Sequence, residues 1–525
     1  MKNERRAFHL KAGYEHVVIL VFFICILILT ITFVVIPIAK DAWNNKETII
    51  KPWIEMLAYG QEIRIDSWYD EQEEQLYFFL PKLIFSAGNR RVHMPENAEL
   101  AIGKTRLRNG DALPELASGE EGFLKYNDGE GIEKGLDVVI MISSALPAVY
   151  IETESGSLDG VHQDSSHKET GSMLIMAANG RKDYQGVFEY IKGRGQSSLR
   201  YEKKAYTLRM PTATSLLNMG AGLSWVLCAN VVDISGMKNH IVYETARKAG
   251  LPYSVEETFV DLYINNEYRG LYQMIEGIEV GESRVAIQDL AALTQAENSF
   301  ELRKYPKMEE EKKMYFGIAN NPADITGGYI LEMDFPNRYM QEDSGMITRQ
   351  NKHISFSAPQ YASLEQVEYM VNIVDEAESA IFAADGISPA TGKHFTEYID
   401  LNSWVKKYLI DEIFMNFDAE ASSAYFYKEA GDQRLYAGPV WDYDNSMCNE
   451  TSPRDGRWIQ SQNRKGFFAS NPAAVNNEWY QNLYNQPAFY EALVIEFENT
   501  FLPLILEWSG GDLILAGMRY NIPVK

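Results

Sequence analysis

The chain has 525 residues, 46% of them hydrophobic and 23% charged, and carries a formal net charge of −24. So acidic a balance excludes a nucleic-acid partner, which needs a basic patch, and suits ligands that are cations or basic partners. With three cysteines, one of them (Cys25) in an apolar run, a disulfide framework or cysteine zinc site is excluded, and only a Cys228–Cys448 bridge stays open. From Val17 to Ile36 the chain is continuously apolar, long enough to cross a hydrocarbon core of about 30 Å. Lys2, Arg5, Arg6 and Lys11 precede this run, and no small-residue cleavage site comes after it. The pattern predicts a short basic cytoplasmic segment (1–16), a transmembrane signal anchor (17–39) and a single-pass membrane protein whose main domains are extracytoplasmic. The chain beyond the anchor is too long for one compact core, so two or more domains are expected. Short alternating runs between Trp53 and Tyr126 predict a small β-rich domain. The Gly- and Glu-rich stretch Ser118 to Lys134 reads as its linker, which gives a β-rich domain with linker over 40–130 and one large domain over 131–525.

In the large domain, Val138 to Ile142 and Ala148 to Ile151 read as strands and Ser155 to Thr170 as a polar loop. Next come Gly193-Arg194-Gly195-Gln196-Ser197-Ser198, only loosely like a phosphate-binding loop, and a strand in which Lys204, Tyr206, Leu208 and Met210 share one face. A lysine on an apolar face either meets a carboxylate or phosphate or snorkels to solvent. Trp225, Asn230, Asp233, Ser235, Lys238 and Asn239 read as capping and core. Phe259 to Ile264 and Gly270 to Glu276 flank an Asn-Asn-Glu turn. Tyr272, Met274 and Glu276 share a face there, which points Glu276 toward Lys204 or leaves it solvated. No G-x-S-x-G, H-E-x-x-H or Cys/His pairing is present, so hydrolase and zinc-enzyme readings lack support.

Asp400 to Met415 has the spacing of an amphipathic helix. Beyond it, Ser423 to Lys428, a polar turn at Glu429 to Gln433, and Arg434 to Val440 form a β-hairpin. Antiparallel pairing carries Asp418, just before the first strand, toward Asp442 and Asp444, just after the second. Three carboxylates at one hairpin mouth suit Mg²⁺ and a phosphate; singly, each is an ordinary turn or strand-end residue.

The blocks Arg194 to Ser198, Lys203-Lys204-Ala205-Tyr206, Trp225 to Asn239, Gly270 to Glu276, Gly327 to Asp334, and Asn416-Phe417-Asp418 through Gly438-Pro439-Val440-Trp441-Asp442-Tyr443-Asp444 closely resemble the spore coat protein H (CotH) kinase family, from about residue 135 onward. The resemblance implies an α+β fold with an atypical protein-kinase-like domain, preceded here by the anchor and the β-rich domain. It implies binding of ATP with Mg²⁺ or Mn²⁺ and phosphorylation of Ser or Thr on a surface or secreted protein. By motif position it gives Lys204 the non-transferred phosphates, Glu276 the orientation of Lys204, Asp418 the acceptor hydroxyl, and Asp442 and Asp444 the metal. Arg194 and Ser198 join the nucleotide site. Ser423 stands where a kinase catalytic loop has Asn, as a weaker metal ligand, and Gln196 replaces an expected Asn. The rival expectation is a non-catalytic adhesin or scaffolding module, a pseudokinase on the same fold.

Overall fold

The computed structural model describes residues 50–81, 90–127, 131–143, 146–195, 200–233, 235–416, 418–419, 421–447, 469–470 and 478–508. The expected basic segment and the run from Val17 to Ile36 lie outside them. Among the described residues no helix is long and apolar enough to cross a membrane. The expected single-pass membrane placement is corrected on that finding and withdrawn.

The chain divides into two compact units. The first takes in Asp66–Phe78 and Ala87–Met141 among other residues. Its main sheet has six strands, in the order Trp68–Asp70, Gln75–Leu80, Glu133–Ile142, Glu120–Asn127, Glu99–Ile102 and Thr105–Leu107. Period-two burial accounts for it: Leu76, Phe78 and Leu80 are buried while the alternating Gln75, Tyr77 and Phe79 are only partly so, so one face packs and the other reaches water. The stretch expected as a linker instead contributes the strand Glu120–Asn127, which pairs antiparallel with Glu133–Ile142 from Glu120 opposite Ile140 to Asn127 opposite Glu133. Its Gly and Glu content mimics a linker, but Leu124, Tyr126 and Val138 supply the alternate buried positions of a strand pair.

The second unit is built on a closed seven-stranded barrel and a seven-stranded sheet. The barrel strands are β1 (Ala148–Thr153), β2 (Glu169–Met176), β3 (Lys182–Arg194), β4 (Ala205–Thr214), β5 (Gly222–Cys228), β6 (Glu257–Ile264) and β7 (Glu267–Glu276). Tyr206, Leu208 and Met210 on β4 fill the barrel with Trp225, Leu227, Tyr272 and Met274, so the face shared by alternate β4 residues is its interior. The β6–β7 turn is Asn265-Asn266, both at positive φ (51° and 71°), the left-handed pair that a two-residue hairpin needs and Asn tolerates.

The second sheet contains β8 (Lys307–Glu310), β9 (Lys313–Phe316), β10 (Tyr329–Asp334), β11 (Gly345–Ile347), β12 (His353–Ala358), β13 (Ala424–Lys428) and β14 (Leu435–Ala437), in the order β8-β9-β11-β12-β10-β13-β14. Helices α1 (Lys238–Lys248), α2 (Leu364–Ile381), α3 (Leu401–Ile413), α4 (Glu478–Asn485) and α5 (Pro487–Glu496) pack with it. The Asp400 side chain caps α3 by accepting from the Ser403 amide, and Ser363 with Gln366 forms a capping box on α2. Trp404, Val405 and Tyr408 of α3 share one core with Val242 and Tyr243 of α1, Phe426 of β13, and Trp441 and Tyr443. Burial of that apolar surface fixes where the chain before β13 and after β14 comes to lie.

Candidate active site at the hairpin mouth

The expected hairpin forms, with Phe426 opposite Ala437 and Lys428 opposite Leu435. Its return strand stops at Ala437 because Pro439 has no amide to donate and Gly438 turns away at φ +110°. Antiparallel pairing brings the two strand ends together: Ser423 Oγ lies 3.3 Å from Asp442 Oδ2. Both residues sit in the left-handed region, Ser423 at φ +54° and Asp442 at φ +64°, an uncommon pairing of non-glycine residues that clusters at functional sites.

Asp418 lies in the turn after α3, half-buried, its amide donating to Asn416 Oδ1 and its carbonyl accepting from the Ala421 and Ser422 amides. Asp442 is exposed and Asp444 half-buried. Burial pushes the Asp444 carboxyl well above its usual range, and the charges of Asp442, Asp418 and Asp233 push it further, with Lys238 opposing. Four carboxylates therefore act on one point, and the field there calls for a cation. Lys238 supplies part of one, donating to the Ser446 carbonyl at 2.8 Å and the Asp444 carbonyl at 3.5 Å. Asp233 in turn accepts from the Lys238 and Ser235 amides at the start of α1. The N-cap position of α1, Met237, makes no side-chain cap; instead Asp233, from the stretch read as capping and core, satisfies the first amide of the helix, and the stretch borders the site through Lys238. No group of three or more His, Cys, Asp or Glu side chains among the described residues stands as a ready metal cage.

The barrel contributes its own end to the same place. The Arg194 guanidinium, at the end of β3, lies 5.3 Å from the Trp441 ring. At the end of β5, Cys228 is a free, half-buried thiol that burial pushes up to about 12, with Asp444 and Asp442 adding and Arg194 opposing. Burial and neighbouring Asp334 likewise push the Glu332 carboxyl up to about 8, against Arg194. Ser198 and Cys448 lie outside the described residues.

Lys204 sits just before β4, half-buried, with Nζ donating to the Tyr201 carbonyl at 2.6 Å. Glu276 is not its ion partner, which corrects the expectation of a Lys204–Glu276 pair. Tyr272 does reach Lys204, its hydroxyl donating to the Lys204 carbonyl at 2.7 Å. Glu276 is four residues farther along the same strand, about 13 Å at about 3.3 Å per residue. There it pairs with Arg284, whose guanidinium lies 4.7 Å from the Trp225 ring, and it accepts from the Glu256 amide at 2.9 Å. Burial raises the Glu276 carboxyl to about 7 despite Arg284.

A family model described as CotH kinase protein matches residues 191–504, more than half of the chain. The chain belongs to the CotH kinase family. No curated protein matches it. The matched stretch of this CotH kinase family member begins at the end of β3 that carries Arg194 and runs through the hairpin to the C-terminal helices. It therefore holds every candidate residue named from the sequence.

Sequence reasoning passed over Asp411. Its carboxylate is fully buried and accepts from Tyr443 and Asn416, the two residues that border the acidic cluster. The available signal was an aspartate in the buried stripe of α3, four residues after Lys407.

Proposed function

We propose that this chain transfers the γ-phosphate of ATP to a serine or threonine of a protein, with the hairpin mouth as its active site. The observation that carries the reading is that Asp418 and Asp442 both lie within Coulombic reach of Asp444, beside one end of β13 and β14. Asp418, on the loop after α3, takes the proton of the acceptor hydroxyl as its oxygen bonds to phosphorus and the bond to the β-phosphate oxygen breaks, releasing ADP. Asp442 and Asp444 would hold Mg²⁺ or Mn²⁺, with Ser423 beside Asp442. A bound divalent ion neutralises charge on the phosphates. One or two carboxylates suffice for Mg²⁺, which keeps waters and phosphate oxygens as its other ligands, so the donor set fits without a three-carboxylate cage. Arg194 and Lys204 are the cations proposed for the phosphates, the former already drawn toward the Asp442 and Asp444 side of the barrel.

A binding module without catalysis is the second reading, favoured by the Glu276–Arg284 pair, which engages in a different ion pair the glutamate expected to orient Lys204. Transfer of labelled γ-phosphate to a Ser-rich protein by the full chain, beside Asp418→Asn, separates the two. Label with the wild type and none with the variant supports the kinase. ATP binding with no label from either supports the module.

A further inference from the structure

Asp411 occupies a position that the proposed roles leave unexplained. It lies on the last full turn of α3, with no solvent exposure. Oδ1 accepts from the Tyr443 hydroxyl at 2.5 Å and from Asn416 Nδ2 at 2.8 Å. Oδ2 accepts from Lys407 Nζ at 2.6 Å and from the Tyr480 hydroxyl at 2.9 Å. Tyr443 is the residue between Asp442 and Asp444. Asn416 uses its side-chain oxygen to accept from the Asp418 amide at 3.2 Å. One buried carboxylate thus touches both the loop that carries Asp418 and the segment after β14 that carries Asp442 and Asp444.

We infer that Asp411 is a positioning residue that locks these two segments into one geometry; its effect on phosphate transfer rests on the kinase reading, whereas the lock itself does not. The chemistry specifies aspartate. A carboxylate offers about four acceptor sites, and all four are taken by donors, one of them an ammonium. An asparagine would turn its NH₂ toward two donors in either orientation and leave Lys407 buried beside a neutral group. The arrangement is also two-sided: Lys407 and Tyr480 hold the carboxylate from the helices, while Tyr443 and Asn416 hang the site from its other oxygen.

That two-sidedness supplies a matched test in the full chain. Tyr443→Phe and Tyr480→Phe each remove one hydroxyl from the same carboxylate, and both aromatic rings stay in the core. Hydrogen exchange, read without ligand, tracks the bonded amides of Asp418, Ala421 and Ser422 and of Tyr443 and Ser446. Faster exchange in both groups with Tyr443→Phe, and little change with Tyr480→Phe, is the expected result. Mn²⁺ titration by electron paramagnetic resonance in the presence of ATP should then show about tenfold weaker binding for Tyr443→Phe only, the usual effect of losing a group that orients a ligand. Asn416→Leu, which cuts the other link, gives the same reading if Tyr443→Phe does not fold. Equal exchange in the two Tyr variants, or a response confined to the amides of Tyr443 and Ser446, overturns the lock. A wild type that binds no Mn²⁺ with ATP overturns the kinase reading instead, while the exchange result still decides the lock.

Discussion

The barrel ends in two acidic sites of opposite character. Near Trp225, Glu276 is sealed with Arg284, both side chains almost fully buried. Near Cys228 and Arg194, the carboxylates of Asp418, Asp442 and Asp444 crowd together with Lys238 and Arg194 at their border, and Asp442 is open to water. A buried carboxylate already joined to a guanidinium is committed to structure. A group of carboxylates that raise one another's proton affinity, with Asp442 solvent-exposed and on left-handed backbone, suits a ligand.

Substitutions at the two ends should therefore fail differently. The largest effect belongs to the open end: Asp418→Asn should lower phosphate transfer by about 10²- to 10⁴-fold while ATP binding and melting temperature hold, as for loss of a general base. Equal loss of binding and transfer would take Asp418 out of that role. At the sealed end, Arg284→Met should cost about 3–5 kcal/mol in denaturant unfolding, because it strands a buried carboxylate. A change below about 1 kcal/mol would show that the pair contributes little to the fold.

The sealed end should also make stability depend on pH. The folded Glu276 carboxyl titrates near 7, above its unfolded value, so the folded state holds the proton more tightly. The unfolded chain gives up that proton first as pH rises, so this group's contribution is full below about 4.5, declines through the window between, and is gone above about 7. Glu276→Gln should flatten that part of the stability profile by an amount on the order of 2–3 kcal/mol, measured by urea unfolding at pH 5 and pH 7.5. An unaltered slope would mean that Arg284 keeps Glu276 ionised throughout.

How far these two ends could be told apart from sequence depends on what periodicity encodes. Apolar spacing located α3, and strand composition with a polar turn located β13 and β14, so the meeting of Asp418 with Asp442 and Asp444 was legible from antiparallel pairing alone. Period two also put Glu276 on the face of Tyr272 and Met274. It did not say how far along β7 each residue sits, and four residues of strand separate the Lys204 end from the Glu276 end. Arg284 comes from the loop after β7, where no periodic signal names a partner. Ser118 to Lys134 misled because Gly and Glu are common to linkers and to exposed hairpin faces. Asp411 was hidden by the assumption that a helix's buried stripe is apolar.

The smallest predicted effect refines the open end. Ser423 holds φ +54°, a region that Asn adopts more readily than Ser. Ser423→Asn should tighten Mn²⁺ binding a few-fold, since an amide oxygen ligates a divalent ion better there than the hydroxyl. Weaker binding would place the metal away from Ser423.

The most direct measurement is calorimetric titration of Mg·ATP into the full chain, wild type beside Asp442→Asn, with both proteins shown to be folded. Binding by the wild type that disappears in the variant is the result predicted for a metal–nucleotide site at the hairpin mouth. Unchanged affinity in a folded Asp442→Asn would contradict it and move the site away from these carboxylates.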